Sequence, residues 1–354
     1  MSTLRVTTAY HDARRGQFMK VYIFGAGASR GSQPEHMEPT RRAPLVDELF
    51  EDFYKNCARY VGLSEADLVE CRIGSKQSGG VEKWLTDEWE SISHLRQEHT
   101  KQAKRLLFAR LAFYIWRLLL DVSATYNESN GYNVFANKLF QEDEPFGLVS
   151  FNYDLLLDRA IKYRYGAPLS TIDDYLGFNF AKPHGSVNWL LAKRDEDPVP
   201  GNEATRDIPF RISLASSRLF NGATIPIANL HVIPPDHADL LNPDNCFSRV
   251  GYYFFPLVLM PLTSKMDFVI QFSDLILRST QDMLSKADAV YLIGYRANDD
   301  IVKEMFKALR PGTTLHIVGW RTAEEVASRI LGWATNLKKG TTYNDGFMDF
   351  VGKM

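Results

Sequence analysis

The apolar run Val21, Tyr22, Ile23 and Phe24 ends in glycine at Gly25 and Gly27. A continuous apolar run without alternation predicts a strand buried on both faces, here turning into a helix. From about residue 45 to 139 the period becomes helical, with Val81, Leu85, Trp89 and Ile92 at three-to-four spacing, and likewise Ala103, Leu107, Leu111, Ile115 and Leu119. The stretch 74–80, GSKQSGG, separates two helical blocks and reads as a flexible loop. Strand-like runs return at 146–151, 230–233, 254–260, 289–293 and 314–318, with helical segments at 155–163, 266–285 and 300–309 between most of them. This alternation predicts an α/β, Rossmann-type, mostly parallel sheet with helices on both faces. A helical insertion of roughly a hundred residues, within the usual size range of a domain, interrupts it early. The polar stretch 193–207 reads as a surface loop, and no internal repeat or low-complexity tract appears.

Composition narrows the classes. A chain of 354 residues has room for one large α/β domain with an insertion or for two modest domains. Hydrophobic content of 45% and charged content of 24% are those of a soluble globular protein. The net charge of −2 gives no overall basic field, so direct nucleic-acid binding is not indicated. Cys57, Cys71 and Cys246 form no CxxC pair and the eight histidines show no HxxxH spacing, so no metal is expected and the setting reads as reducing and cytoplasmic. The longest apolar stretch, 106–120, carries Arg110 and Arg117 and is too short to cross a bilayer. The amino terminus has no apolar secretory core, and residues 1–17 read as a polar lead-in.

Four short motifs carry the candidate chemistry. In FGAGAS, Gly25 and Gly27 follow the first strand and Ser29 comes next. Such a turn lets backbone N–H groups approach a pyrophosphate. Arg30 stands where GxGxxG needs its third glycine, so nucleotide binding and a tight structural turn both remain open here. In SFNYD, Asn152 and Asp154 fall at the carboxyl end of a strand, the edge at which open α/β sheets bind ligands. Asp154 reads equally as a cap for the following helix. His184 in KPHGS is the candidate acid/base, since imidazole exchanges a proton near neutrality; a structural histidine is the alternative. In LIGYRANDD, Gly294 allows close approach of a dinucleotide's adenosine half, and Asp299 or Asp300 caps the next helix. His316 reads as a packed strand residue, and Trp84, Trp89 and Trp116 as mostly core, with an oligomer interface as the alternative.

Taken in order, FGAGAS, SFNYD, KPHGS and LIGY resemble the sirtuin family, and their wording is similar to the prokaryotic zinc-free branch that hydrolyses NAD in anti-phage defence. The closing NDGFMDFV, residues 344–351, resembles that branch's last helix. The resemblance spans 18–44 and about 145–354 and leaves the helical insertion, about 45–144, outside it. It implies a sirtuin-like domain over 18–354. It further implies Gly25, Ala26, Gly27 and Ser29 as the NAD phosphate loop, and Asn152 at the nicotinamide ribose or the attacking water. Asp154 then lies near the carboxamide, His184 is the general base, and Gly294 lines the adenosine pocket.

The departures are informative. Protein-deacylating sirtuins carry a four-cysteine zinc module after the catalytic histidine and a GIPDFR-type segment after the glycine loop. This chain has neither, reading RGSQPEHMEPTRRA over 30–43. What the resemblance implies is therefore an NAD+ glycohydrolase releasing nicotinamide and ADP-ribose, with NAD as substrate. A deacylase and a non-catalytic NAD- or ADP-ribose-binding subunit are the alternatives. It also implies a regulated homo-oligomer with a protein partner such as an ATPase or an Argonaute-like protein.

Overall fold

The computed structural model describes residues 18–142, 144–194, 230–237, 240, 248–249, 252–258, 270–297 and 300–354. In chain order these contain β1 (Lys20–Phe24), α1 (Ala26–Gly31), α2 (Lys55–Tyr60), α3 (Glu65–Ser78), α4 (Val81–His94), α5 (Glu98–Ala124), α6 (Gly131–Glu142), β2 (Phe146–Ser150), α7 (Leu156–Tyr165), α8 (Ile172–Gly177), β3 (Phe180–Ala181) and β4 (Gly185–Arg194). Then follow β5 (Leu230–Val232), β6 (Ser248–Arg249), β7 (Tyr252–Val258), α9 (Ile270–Ser285), β8 (Ala289–Ile293), α10 (Asp300–Phe306), β9 (Thr314–Val318), α11 (Ala323–Trp333), β10 (Lys338–Tyr343) and α12 (Gly346–Lys353). The chain divides into two units. One comprises the described residues of Met1–Met37, Tyr126–His184 and Ser273–Met354, the other those of Glu38–Thr125 and Gly185–Phe272.

The first unit is an α/β, Rossmann-type sheet of six parallel strands in the order β10-β9-β8-β1-β2-β3. Its central strands are the continuous apolar runs of the sequence, because a strand flanked by neighbours and covered on both faces has no polar side to show. Along β1, Tyr22 and Phe24 point to one face. There they meet Phe135 of α6 at ring-centroid distances of 5.1 and 5.2 Å, and Phe24 also meets Phe347 of α12 at 6.3 Å. Such edge-to-face aromatic contacts add about 0.5–1.5 kcal/mol each beyond the area they bury. The closing segment around 344–351 thus forms a helix whose Phe347 and Phe350 are core.

The second unit combines the helices α2–α5 with a four-stranded antiparallel sheet, β5-β4-β7-β6. This corrects the placement of the runs near 230 and 254, which local alternation with helices assigned to the parallel sheet. Strand propensity marks a strand but not its partner, and the partner β4 lies outside the runs read as strands. Trp116 and Trp84 are core here, and the Trp116 Nε1 donates to the Val187 carbonyl at 2.7 Å.

The stretch 74–80 is also corrected. α3 runs through Ser78 and ends at Gly79 in the left-handed region, φ +86°, with the Gly80 N–H closing back on the Ser75 carbonyl at 2.8 Å. Gly74 lies inside the helix because Trp84 packs against it: a Cβ there would sit 2.3 Å from Trp84 Nε1. Of the polar stretch 193–207, Lys193 and Arg194 belong to β4 and the rest lies outside the described residues, as do residues 1–17, Cys246 and Asp299. Asp300 opens α10.

Candidate active site

Register decides which residues meet at the sheet's carboxyl edge. Phe24 pairs with Ser150 of β2 on one side and with Ile293 of β8 on the other, so the three strands end level. Gly25, Phe151–Asn152 and Gly294 therefore leave the sheet together. The sheet order also reverses at β1: β2 lies on one side of it and β8 on the other. Such a switch point is where open α/β sheets leave a crevice for ligands.

A buried polar knot ties these strand ends together. Asn152 Nδ2 donates to the Gly25 carbonyl and to Ser29 Oγ, both at 2.9 Å, and lies 3.5 Å from the Tyr132 hydroxyl. Ser29 Oγ is 3.2 Å from that hydroxyl and also bonds the Asp154 carboxylate. A carbonyl oxygen can only accept, so Gly25 fixes which end of the Asn152 amide faces the loop. Among the described residues Asn152 Oδ1 accepts no hydrogen bond, and it is not sealed from solvent. The N–H of half-buried Ala26 likewise has no partner among the described residues.

The Asp154 carboxyl is buried, and that burial raises its pKa; the Lys182 charge, the Ser29 hydroxyl and the Leu156 N–H oppose the rise. Its Oδ1 accepts from the N–H of Leu156, the first residue of α7, at 3.0 Å; the N-cap position is Leu155, so Asp154 ties the helix start from one residue before the cap while also holding Ser29. Behind it lies a fully buried ion pair. Lys182 Nζ donates to Asp158 Oδ2 at 2.9 Å and to the Asp154 backbone carbonyl at 2.7 Å, while the Tyr175 hydroxyl donates to Asp158 Oδ1 at 2.7 Å. A buried pair adds little net stability, but losing one partner costs about 3–5 kcal/mol. Lys182 thus anchors the SFNYD loop from below.

The glycines of the loop are required by protein packing. Gly27 N–H donates to the Gly294 carbonyl at 2.9 Å, and a Cβ on Gly294 would lie 2.1 Å from the Ala28 nitrogen. Gly294 also holds φ at +60°, a region that favours glycine. A Cβ on Gly25 would meet the Tyr295 ring at 2.5 Å. Here the close approach that glycine permits is made by the β8 loop.

His184 joins the site through aromatic contacts. Its ring meets Phe151 edge-on at 4.7 Å and stacks toward Tyr153 at 6.0 Å, while Phe151 stacks on Tyr295 at 4.7 Å and 10°. The next residue, Gly185, has φ +86°, and a Cβ there would lie 2.1 Å from the Leu257 carbonyl oxygen. His316 packs on Tyr291 at 4.4 Å and accepts the Thr341 N–H at 3.0 Å; burial lowers its pKa, as befits a packed strand residue.

Gly25, Gly27, Ser29, Asn152, Asp154 and Gly294 are thus linked by direct contacts, Ala26 sits within the loop they hold, and His184 is linked through Phe151 and Tyr153. Two further contributors are not readable from the motifs. Lys182 stands beside His184 in KPHGS, yet nothing local marks a lysine as buried. Tyr132 comes from within the helical stretch 45–144; its signal is the NG turn before it. Asn130 Oδ1 accepts the Tyr132 N–H at 3.0 Å, and Gly131 N–H donates to the Ser32 carbonyl at 2.7 Å, docking α6 against the end of α1.

No family model matches the chain, and no curated protein does. Among solved structures it is similar to a mutant Sir2 with a p53 peptide and NAD, at 11% identity and a TM-score of 0.38, with 100% of this chain and 97% of that chain covered. At that identity and score the likeness carries no argument about function.

Proposed function

We propose that this chain is an NAD+ glycohydrolase, with NAD as substrate and nicotinamide and ADP-ribose as products. The observation that carries the reading is the Asn152 amide. It is pinned to the glycine loop by its nitrogen and offers, at the sheet's switch point, an acceptor oxygen without a partner among the described residues.

Breaking the bond between nicotinamide nitrogen and ribose C1′ passes through an oxocarbenium-like centre. The site must therefore orient a water and tolerate developing positive charge. Asn152 Oδ1 accepts a hydrogen bond from that water, or from a ribose hydroxyl. Nicotinamide leaves with the bond's electron pair, water oxygen bonds C1′, and His184 takes the released proton. Gly25, Ala26, Gly27 and Ser29 form the loop that takes the phosphates, with the Ala26 N–H, which has no partner among the described residues, as its donor. Asp154 fixes Ser29 and faces the carboxamide side, and Gly294 closes the adenosine side.

The wider reading is a cytoplasmic, NAD-depleting effector of anti-phage defence, acting as a homo-oligomer controlled by a partner such as an ATPase or Argonaute-like protein. It rests on the resemblance of the four motifs and on the cost to a cell of unregulated NAD hydrolysis.

The test is to incubate the full chain with NAD, alone and with an acyl-lysine peptide, and to identify the products. Nicotinamide and ADP-ribose in equal amounts without peptide are expected. Release only with peptide would mean a deacylase, and NAD bound but intact would mean a binding subunit.

A further inference from the structure

The polar knot closes on one hydroxyl, Ser29 Oγ, which meets Asn152, Asp154 and Tyr132. Asn152 Nδ2 carries two hydrogens, and two acceptors stand at 2.9 Å, the Gly25 carbonyl and Ser29 Oγ. Ser29 has one hydrogen and two lone pairs. The Asp154 carboxyl bonds the Ser29 hydroxyl as well. Ser29 Oγ accepts from Asn152 and shares a hydrogen bond with the Tyr132 hydroxyl at 3.2 Å, in which either oxygen can be the donor. Burial holds that phenol well above its usual pKa, so it keeps its proton. Tyr132 is fully enclosed, with its ring 5.6 Å from Phe24 and 5.1 Å from Phe347.

We infer that Tyr132 is a positioning residue of this site: through Ser29 it fixes the Asn152 amide so that Oδ1 faces the substrate. The inference rests on the glycohydrolase reading. With the hydroxyl gone, Ser29 Oγ loses its hydrogen bond to Tyr132 and is held by Asn152 and Asp154 alone among these side chains. One of the two acceptors that orient the Asn152 nitrogen is then less firmly placed. A phenylalanine ring in place of the phenol retains the packing against Phe24 and Phe347, so Tyr132→Phe removes the hydroxyl without opening the core.

The test uses initial rates of nicotinamide release from NAD by the full chain as wild type, Tyr132→Phe, Ser29→Ala and the double variant, with a thermal melt of each. Tyr132→Phe should lower kcat about tenfold and leave KM within about twofold, the size of one net hydrogen bond. Because both residues act on one amide, the double variant should fall within about twofold of the slower single variant. A Tyr132→Phe enzyme with wild-type kcat, or losses that multiply in the double variant, overturns the inference alone. Should Tyr132→Phe fail to fold, Ser29→Ala breaks the same link from its other end, and an unchanged kcat there overturns it. A folded wild type that releases no nicotinamide overturns the functional reading and the inference together.

Discussion

At the scale of single residues, the site works by satisfying buried polar atoms in one direction only. Gly25, Ser29 and Asp154 are individually ordinary, but together they leave Asn152 one orientation. Asp154 carries a stability cost with a definite sign. Burial raises its folded-state pKa above the usual 3.8, so the native state holds this proton more tightly than the unfolded chain does. Its contribution is therefore fully present below 3.8 and is lost as pH rises through the folded value. Asp154→Asn keeps an acceptor for the Leu156 N–H and removes the titration. Urea midpoints of the two proteins across pH should show the variant gaining on wild type as pH rises above 3.8. A constant difference across that range would contradict the assigned burial. Asn152 and Asp154 are visible in the sequence because they follow an apolar run. Tyr132 and Lys182 are not, because their roles depend on contacts 103 and 28 residues away.

Elements contribute level strand ends and the close packing of the loops that follow them. β1 and β8 are legible because buried parallel strands are nearly unbroken apolar runs, and β9 because Leu315, Ile317 and Val318 keep it mostly apolar, whereas β3, with two residues, and β10, with only exposed or half-buried ones, offer no such run. The antiparallel sheet escapes for a different reason: strand pairing is set by distant residues and leaves no local mark. Gly74 shows how glycine misleads. Read as flexibility, it is a contact surface for Trp84. Gly74→Ala gains about 1 kcal/mol of helix propensity. Against that, three ring atoms of Trp84 lie 2.3–2.9 Å from the new Cβ, and overpacking of a held side chain costs about 1–3 kcal/mol. Trp84 is nearly buried and packs edge-on to Phe50 at 5.8 Å, so the overpacking should win. Net destabilisation of about 1 kcal/mol is expected from urea melts; a stabilised variant would mean that the segment behaves as a loop.

At the scale of the molecule, all eight residues assigned to the site from the motifs fall in the first unit, although the chain leaves it after Met37 and again after His184. Among the described residues no helix is long and apolar enough to cross a membrane. Fold class is legible because alternation of strands and helices is a global pattern; the tie between the glycine loop and Asn152 is not, because side-chain hydrogen bonds have no period. The central claim is that this tie serves destruction of NAD. Its most direct test is the initial rate of nicotinamide release at saturating NAD by wild type, Asn152→Ala and His184→Ala. Wild type should turn over, with each variant slower by at least about a hundredfold, the typical weight of a positioned acid or base. Equal rates in all three would contradict the account.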